Sequence, residues 1–332
     1  QVLMATPRNP MRRRLALAAA ALASLGGRAG TVAAQAGAGT LRLVVPYAPG
    51  GVGDQLARAV AERIGPALGQ RVLVDNKPGG GTVIGTQLAL TAPADGQTLL
   101  FVAASFVIQP QLAARPVYDA ARDFAPLALM ASNPHLLVVH PSVPAATLKE
   151  LAAWAQTRQG AAAFASFGNG SSGHLGFELL KKAAGFDMVH VPYKGGAPAM
   201  QDLLAGQVAA MLTDLPQAVA HVKAGKLRAI AVASPARAAA LPEVPTLQEA
   251  GLAGFTSQSW YGLVLRSGTP PAQLQRLHAA VEAALNDRSL HAALEPAGLD
   301  FINQGGAAFG TFMAREAARY GDAIRLAGIK PE

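Results

Sequence analysis

The chain has 332 residues, with 28 basic and 20 acidic side chains and no cysteine. The absence of cysteine excludes disulfides, thiol catalysis and cysteine-ligated metal sites. Five of the arginines and none of the acidic residues lie in residues 1–36, so residues 37–332 carry 23 basic and 20 acidic groups. A net charge of +3 in that part of the chain gives no support to nucleic-acid binding.

Residues 1–36 have the pattern of a secretory signal. Three consecutive arginines at positions 12–14 precede the apolar run LALAAAALASLGG, and an A-x-A sequence ends at Ala36. This order predicts cleavage near Ala36 and export to a periplasm. The apolar run is too short and too rich in alanine to favour a membrane anchor.

Nine β-rich runs are predicted as strands, and helical patterns lie between most of them. The predicted strands are 41–45, 71–74, 98–103, 135–140, 162–166, 188–191, 208–212, 227–233 and 260–265. The stretch 54–68 is typical of the helices, because Leu56, Val60, Ile64 and Leu68 form one apolar stripe. Strands that alternate with helices predict an α/β protein with parallel, doubly wound sheets.

The predicted strands are too many for one sheet, and the alternation of strands and helices restarts after residue 140 with a new helix and a new strand. We therefore expect two lobes, residues 37–137 with 260–332 as lobe 1 and residues 138–259 as lobe 2. The last helices, near 271–287 and 307–327, would pack back on lobe 1. Two crossings, near 133–141 and 256–262, would form a hinge with a ligand cleft between the lobes.

Four glycine- or serine-containing turns each follow a predicted strand and precede a predicted helix: PYAPGGVGD (46–54), VAASF (102–106), FGNGSSGHL (167–175) and VPYKGGAPAM (191–200). Ligands of open α/β sheets bind at the carboxyl ends of strands, where such turns lie. Backbone amides at a helix N-terminus favour an anion. The turns contain one basic side chain, Lys194, so a small carboxylate held mainly by neutral donors is the predicted ligand.

Nucleotide binding is not supported by these turns. Gly168, Gly170 and Gly173 spell G-x-G-x-x-G, but Asp187 precedes the next strand, whereas the Rossmann acid ends it. The first turn lacks the lysine of a phosphate loop and has Asp54 instead, which would either cap the helix or accept a hydrogen bond from a ligand. The seven histidines form no H-E-x-x-H motif, so we expect no metal and no cofactor.

A secreted serine hydrolase is the alternative, with Ser171 or Ser172 as the nucleophile, His174 as the base and Asp214 as the orienting acid. The G-x-S-x-G elbow is absent, since residues 170–174 read GSSGH. The two serines also suit a helix N-cap, and His174 suits either packing or a ligand contact.

From residue 41 onward the sequence resembles the Bug family, the periplasmic substrate-binding proteins of tripartite tricarboxylate transporters. LRLVVPYAPGGVGD, VLVDNKPGGGTVIGT, FASFGNGSSGHL, MVHVPYKGGAPAMQDLLAGQV and LPEVPTLQEAGL carry the resemblance. It implies a Venus-flytrap fold and no catalytic activity. The protein would act as a monomer that delivers a tricarboxylate, dicarboxylate, acidic amino acid or similar solute to inner-membrane permease subunits.

The resemblance also implies ligand contacts at Tyr47, Gly51, Ala104, Ser105, Gly170, Ser171, Ser172 and Asp214. The sequences of the turns add Asp54 and His174 as candidate ligand contacts. Three residues, in two parts of the chain, depart from the family pattern. Val52 and Gly53 replace a proline or serine and a threonine, and Leu215 replaces an asparagine. Leu215 thus removes an amide from the expected site.

Overall fold

The structure is a computed structural model that describes residues 39–158 and 160–329, so the predicted signal in residues 1–36 lies outside the described residues. From Thr40 onward the described residues form one compact unit. No helix in these residues has the length and apolar composition needed to cross a membrane.

The described part of the chain contains ten strands: β1 (Leu41–Val45), β2 (Val72–Asn76), β3 (Thr98–Ala103), β4 (Phe124–Val139), β5 (Ala163–Ser166), β6 (Val189–Pro192), β7 (Ala210–Asp214), β8 (Arg228–Val232), β9 (Gln258–Arg266) and β10 (Asp300–Gly305). Its α-helices are α1 (Val52–Leu68), α2 (Val83–Thr91), α3 (Ser105–Leu112), α4 (Leu148–Gln156), α5 (Ser172–Ala184), α6 (Gly196–Leu204), α7 (Leu215–Lys223), α8 (Pro271–Leu285), α9 (Arg288–Leu294) and α10 (Gly306–Ala327).

The strands are ordered β2-β1-β3-β9-β4-β7-β5-β6, with β8 and β10 also paired to β4. Residues 124–134 of β4 pair with β9, and residues 135–139 pair with β7. The first half-sheet therefore consists of β1, β2, β3, β9, β10 and residues 124–134. The second consists of β5 to β8 and residues 135–139.

The outer strand pairs are parallel, but β9 and β4 run antiparallel to their neighbours. The expectation of parallel sheets is thus wrong at the centre, because the chain enters the second half-sheet along β4 and returns along β9, which pairs with β4 in the opposite direction. β10 and residues 124–134 of β4 were also not predicted as strands.

Helices cover both faces of each half-sheet, which is the doubly wound arrangement. On one face of the first half-sheet the predicted stripe of α1 is buried, with Leu56, Val60 and Ile64 no more than 1% exposed. On the other face Trp260 of β9 packs with α3 and α10. The second half-sheet is covered by α4 and α5 on one side and by α6 and α7 on the other. The turns that follow the strands of both half-sheets meet where the two half-sheets join, and we call this junction the seam.

Candidate functional site

The first turn is built around Asp54, the third residue of α1. Its carboxylate accepts hydrogen bonds from the amide of Gly50 at 2.9 Å, from Arg58 Nε at 3.0 Å and from Asn76 Nδ2 at 2.8 Å. Burial opposes ionisation, but these hydrogen bonds keep the pKa of Asp54 below its usual value. Gly51 is the N-cap and has no side chain to cap the helix, so Asp54 stabilises the turn from inside the helix rather than as its N-cap.

The third turn ends at Ser171, the N-cap of α5. Its Oγ accepts from the amide of His174 at 3.2 Å, and the amide of Gly170 donates to His174 Nδ1 at 3.2 Å. The His174 ring stacks on His190 with 3.8 Å between the ring centroids. Burial lowers the pKa of His174 to about 4, so the ring is neutral at neutral pH. The imidazole therefore supports the turn from behind.

Three helix N-termini converge at the seam between the half-sheets, and each has two backbone amides that donate to no described group. They are the amides of Val52 and Gly53 in α1, of Ser105 and Phe106 in α3, and of Ser172 and Gly173 in α5. Unpaired N–H groups at the positive end of a helix dipole favour a bound anion.

Asp214 forms one wall of the site, where β7 ends and α7 begins. Its Oδ2 accepts from the Tyr261 hydroxyl at 2.8 Å, and its Oδ1 accepts from Asn133 Nδ2 at 3.0 Å. His135 Nε2 lies 3.6 Å from Oδ1. Burial lowers the pKa of His135 to about 4, although the nearby Asp214 raises it. The ring is therefore neutral at neutral pH and does not balance the carboxylate charge. Asp214 thus remains an acceptor facing the site.

Beside Asp214, serine hydroxyls join the half-sheets. Ser172 Oγ is 3.1 Å from Ser259 Oγ and 3.4 Å from His135 Nε2. His135 also bonds Ser259 Oγ through Nε2 at 3.0 Å and Ser257 Oγ through Nδ1 at 2.8 Å. Residues from both strands that pass between the half-sheets therefore fix the position of Ser172.

These turns enclose a cavity of about 40 Å³, which we call the inner cavity. Its walls are Tyr47, Gly51, Val52, Gly53, Asp54, Ala103, Ala104, Ser105, Phe167, Ser171, Ser172, Gly196, Asp214, Ser259 and Tyr261. The lining contains two carboxylates and no basic side chain. The Asp54 charge is balanced by Arg58, whereas that of Asp214 is met by neutral donors only.

Eight of the ten predicted site residues line the inner cavity. Gly170 and His174 do not, because they bond to each other behind the turn. The prediction did not include the other seven lining residues, which are Val52, Gly53, Ala103, Phe167, Gly196, Ser259 and Tyr261. Ser259 and Tyr261 flank the buried Trp260 along β9. The predicted strand WYGLVL begins at Trp260 and therefore leaves out Ser259, and its pattern pointed equally well to packing.

The predicted hydrolase triad is not assembled. Ser171 uses its hydroxyl to cap α5, and Ser172 bonds Ser259 and His135 instead of His174. His174 bonds Gly170, and Asp214 bonds Asn133 and Tyr261 instead of His174. A triad needs the base to reach the nucleophile with one ring nitrogen and the acid with the other. The hydrolase alternative is therefore wrong. The described residues also contain no cluster of three or more potential metal ligands.

The half-sheets also touch directly at their turns. The amide of Ala48 donates to the carbonyl of Lys194 at 2.8 Å. A Cβ placed on Gly51 would lie 3.7 Å from the backbone nitrogen of Gly196. At this contact the site is thus closed by backbone against backbone.

Comparison with known sequences gives one family, for which the model described as tripartite tricarboxylate transporter family receptor matches residues 56–329. BugT of Bordetella pertussis is 33% identical over 322 residues, which cover 96% of this chain and 99% of BugT. A protein of Pseudomonas sp. strain P51 is 37% identical over 257 residues, 77% of this chain and 76% of that protein.

Solved structures of the same kind share the fold. The periplasmic binding protein BugD has a TM-score of 0.85 at 31% identity and covers 89% of this chain and 99% of its own. A protein of R. palustris solved with adipate has a TM-score of 0.85 at 32% identity, over 89% of this chain and 99% of its own. MatC of Rhodopseudomonas palustris, with bound malate, has a TM-score of 0.83 at 30% identity, over 86% and 99%. The expected two-lobed α/β fold of periplasmic binding proteins is confirmed.

Proposed function

Because the chain belongs to the tripartite tricarboxylate transporter receptor family, whose members are solute-binding proteins and not enzymes, we propose that it captures a small carboxylate between its glycine turns. The observation that carries this proposal is the convergence of three helix N-termini with unpaired amides on the inner cavity. Such amides hold an anion without a buried cation, whose desolvation would cost several kcal/mol.

Asp214 restricts what else the ligand presents. A carboxylate oxygen directly against Asp214 would meet a like charge in a buried site, which costs binding energy. A hydroxyl, an ammonium group or a water molecule bound with the ligand would instead donate to it. We therefore place the carboxylate at the amides of α1, α3 and α5, and a hydrogen-bond donor at Asp214.

The relatives support this class of ligand. The solved structures with adipate and with malate contain small dicarboxylates, and their chains match this one over nearly their whole length. Among the ligand contacts we propose are Tyr47, Gly51, Ala104, Ser105 and Ser172. Gly170 and His174 are proposed to act indirectly, by holding the α5 turn.

We further propose that lobe 1 comprises residues 37–137 and 260–332 and that lobe 2 comprises residues 138–259, with β4 and the start of β9 as the hinge. The A-x-A pattern supports export to the periplasm with cleavage near Ala36. The proposed partners are inner-membrane permease subunits that accept the ligand from a monomeric receptor.

A thermal-unfolding screen tests the proposal, because a ligand that binds only the native state raises its apparent stability. The panel contains malate, adipate, citrate, glutamate and benzoate, each beside its neutral amide. We expect at least one acid to raise the unfolding midpoint and its amide to leave it unchanged. Ser172→Ala should abolish the shift, with no turnover to lose. If no acid shifts the midpoint, or if the amides do so equally, the carboxylate assignment is wrong.

A further inference from the structure

The inner cavity shares a boundary with a second cavity at the seam, which we call the neighbouring cavity. The neighbouring cavity measures about 220 Å³, against about 40 Å³ for the inner cavity. Of the described residues, Tyr47 and Phe167 line both cavities, and every other lining residue belongs to one of them. The boundary therefore consists of one aromatic side chain from each lobe, Tyr47 from lobe 1 and Phe167 from lobe 2.

The inner cavity has room for a short acid only. One water molecule needs about 10–15 Å³ of cavity volume, so a cavity of about 40 Å³ holds roughly three groups of that size. A carboxylate at the helix amides and a hydrogen-bond donor at Asp214 use most of this volume. A longer carbon chain would have to leave the inner cavity across the boundary formed by Tyr47 and Phe167.

Phe167 is held at this boundary by packing on two sides. The residue directly follows β5, is 9% exposed and belongs to the core of lobe 2. A Cβ placed on Gly173 would lie 3.0 Å from the Phe167 ring, so glycine at this position leaves space for the ring against α5. The His135 ring lies on another side, with 5.9 Å between the centroids, and is itself bonded to Ser257 and Ser259. The Phe167 ring thus has little room to withdraw from the boundary.

We propose that Phe167 sets the upper length of the ligand, so that the protein takes a short 2-hydroxy or 2-amino acid of two or three carbons. This inference rests on the proposed function, because it places the carboxylate at the helix amides and the donor at Asp214. The Tyr47 hydroxyl lies 3.4 Å from Ser105 Oγ, whereas the Phe167 side chain has no polar atom and limits the ligand by its volume. A smaller residue at position 167 would join the two cavities and admit a longer chain.

Calorimetric titration of the protein purified from the periplasm, after expression of the full chain, tests the inference. The hydroxy acid probes are glycolate, lactate and 2-hydroxyhexanoate, and the amino acids of the same lengths are glycine, alanine and norleucine. Within each series only the apolar chain grows. We expect the wild type to bind the two- or three-carbon acid of one series at least tenfold more tightly than the six-carbon acid. Each methylene that a site buries tightens binding by about fourfold, so a site open to the chain would favour the longer acid instead.

Substitution of Phe167 should move the length limit. In Phe167→Ala, the ratio of the Kd of the six-carbon acid to that of the short acid should fall at least tenfold from its wild-type value. Phe167→Leu should lower the same ratio by a smaller factor, and it keeps the test available if the alanine variant does not fold.

Phe164→Leu is the matched control, because it shortens another buried ring in the same part of the chain. Phe164 stacks on Phe177 in a different core cluster of lobe 2 and lines neither cavity. Phe164→Leu should leave the ratio of the two Kd values unchanged, whereas Phe167→Leu lowers it. A general loosening of lobe 2 would lower the ratio in both variants and would overturn the inference.

Three other results separate the inference from the proposed function. A wild type that binds the six-carbon acids as tightly as the short ones, or a ratio that stays unchanged in both Phe167 variants, would overturn the inference and leave the proposed function intact. If none of these probes binds while another acid of the wider screen does, the assignment of a short acid is wrong and the proposed function stands. If no acid binds at all, both fail.

Discussion

Replacing Gly51 with valine should prevent the two lobes from closing on a ligand. The backbone of Gly51 has φ of −77° and ψ of 170°, which any residue adopts, so the change does not strain the turn itself. A Cβ at this position would lie 3.7 Å from the nitrogen of Gly196 and 3.8 Å from that of Ala197, which is ordinary contact. Alanine therefore fits. The valine methyls extend about 1.5 Å further and overlap backbone atoms that cannot rotate away.

The expected loss of affinity follows from the contacts that closure provides. If the turns separate, the ligand loses the amides of Ser172 and Gly173 while it keeps those of lobe 1. A hydrogen bond to a charged group contributes about 1.5–3 kcal/mol, so the loss of two weakens binding by about 3 kcal/mol or more. That corresponds to at least about a hundredfold increase in Kd. Gly51→Ala should bind within about threefold of the wild type.

Calorimetric titration with the best acid from the screen measures both variants. Small-angle scattering at saturating ligand should also give a larger radius of gyration for Gly51→Val than for the wild type. Without ligand, the thermal midpoints of Gly51→Val and Gly51→Ala should agree with that of the wild type, since opening of the lobes relieves the overlap of the valine methyls. If Gly51→Val binds within threefold of the wild type, the turns do not close on the ligand and the reasoning is wrong.

Three further predictions concern stability and processing. Tyr261→Phe removes a donor from the buried Asp214 and should lower the free energy of unfolding in urea by about 1.5–3 kcal/mol; no change would mean that this hydrogen bond contributes nothing. Burial lowers the pKa of His135 from its usual 6.5 to about 4, so this residue costs no stability above pH 6.5. As the pH falls from 6.5 to 4 the unfolded chain binds the proton before the folded chain does, so the free energy of unfolding falls by about 3 kcal/mol. For His135→Gln the free energy of unfolding should fall by less over the same pH range. N-terminal sequencing of the exported protein should begin near Gly37, and retention of Arg12 would rule out the signal.

The fold was largely predictable because most strands and helices have their own apolar period. The missed strand segments lack it. Residues 124–134 of β4 include Pro126 and Pro134, and proline argues against a central strand. The ladder accommodates Pro126 through an irregularity in its pairing with β9. β10 reads DFINQG, half buried and mostly polar, and its pairing with β4 also has an irregularity.

The candidate site was predictable where it follows local rules and not where it depends on register. Strand, glycine turn and helix can be recognised along the sequence, so the amides near Gly51 and Ser172 were found. The contacts of Asp214 were not, because Asn133 and His135 reach it only through the pairing of β4 with β7, in which His135 lies opposite Asp214. Residues 81 positions apart meet there, and no local pattern encodes that distance. Leu215, one of the departures from the family pattern, is buried at the start of α7 and is not part of the inner cavity lining.

A crystal structure with the best acid from the screen would show where the ligand binds. We expect a carboxylate in the inner cavity, within hydrogen-bond distance of the α1 and α5 amides and of Ser172 Oγ. We also expect a hydroxyl, an ammonium group or a water molecule between the ligand and Asp214. A carboxylate held chiefly by Lys194, or a ligand bound outside the seam between the half-sheets, would contradict the proposed site.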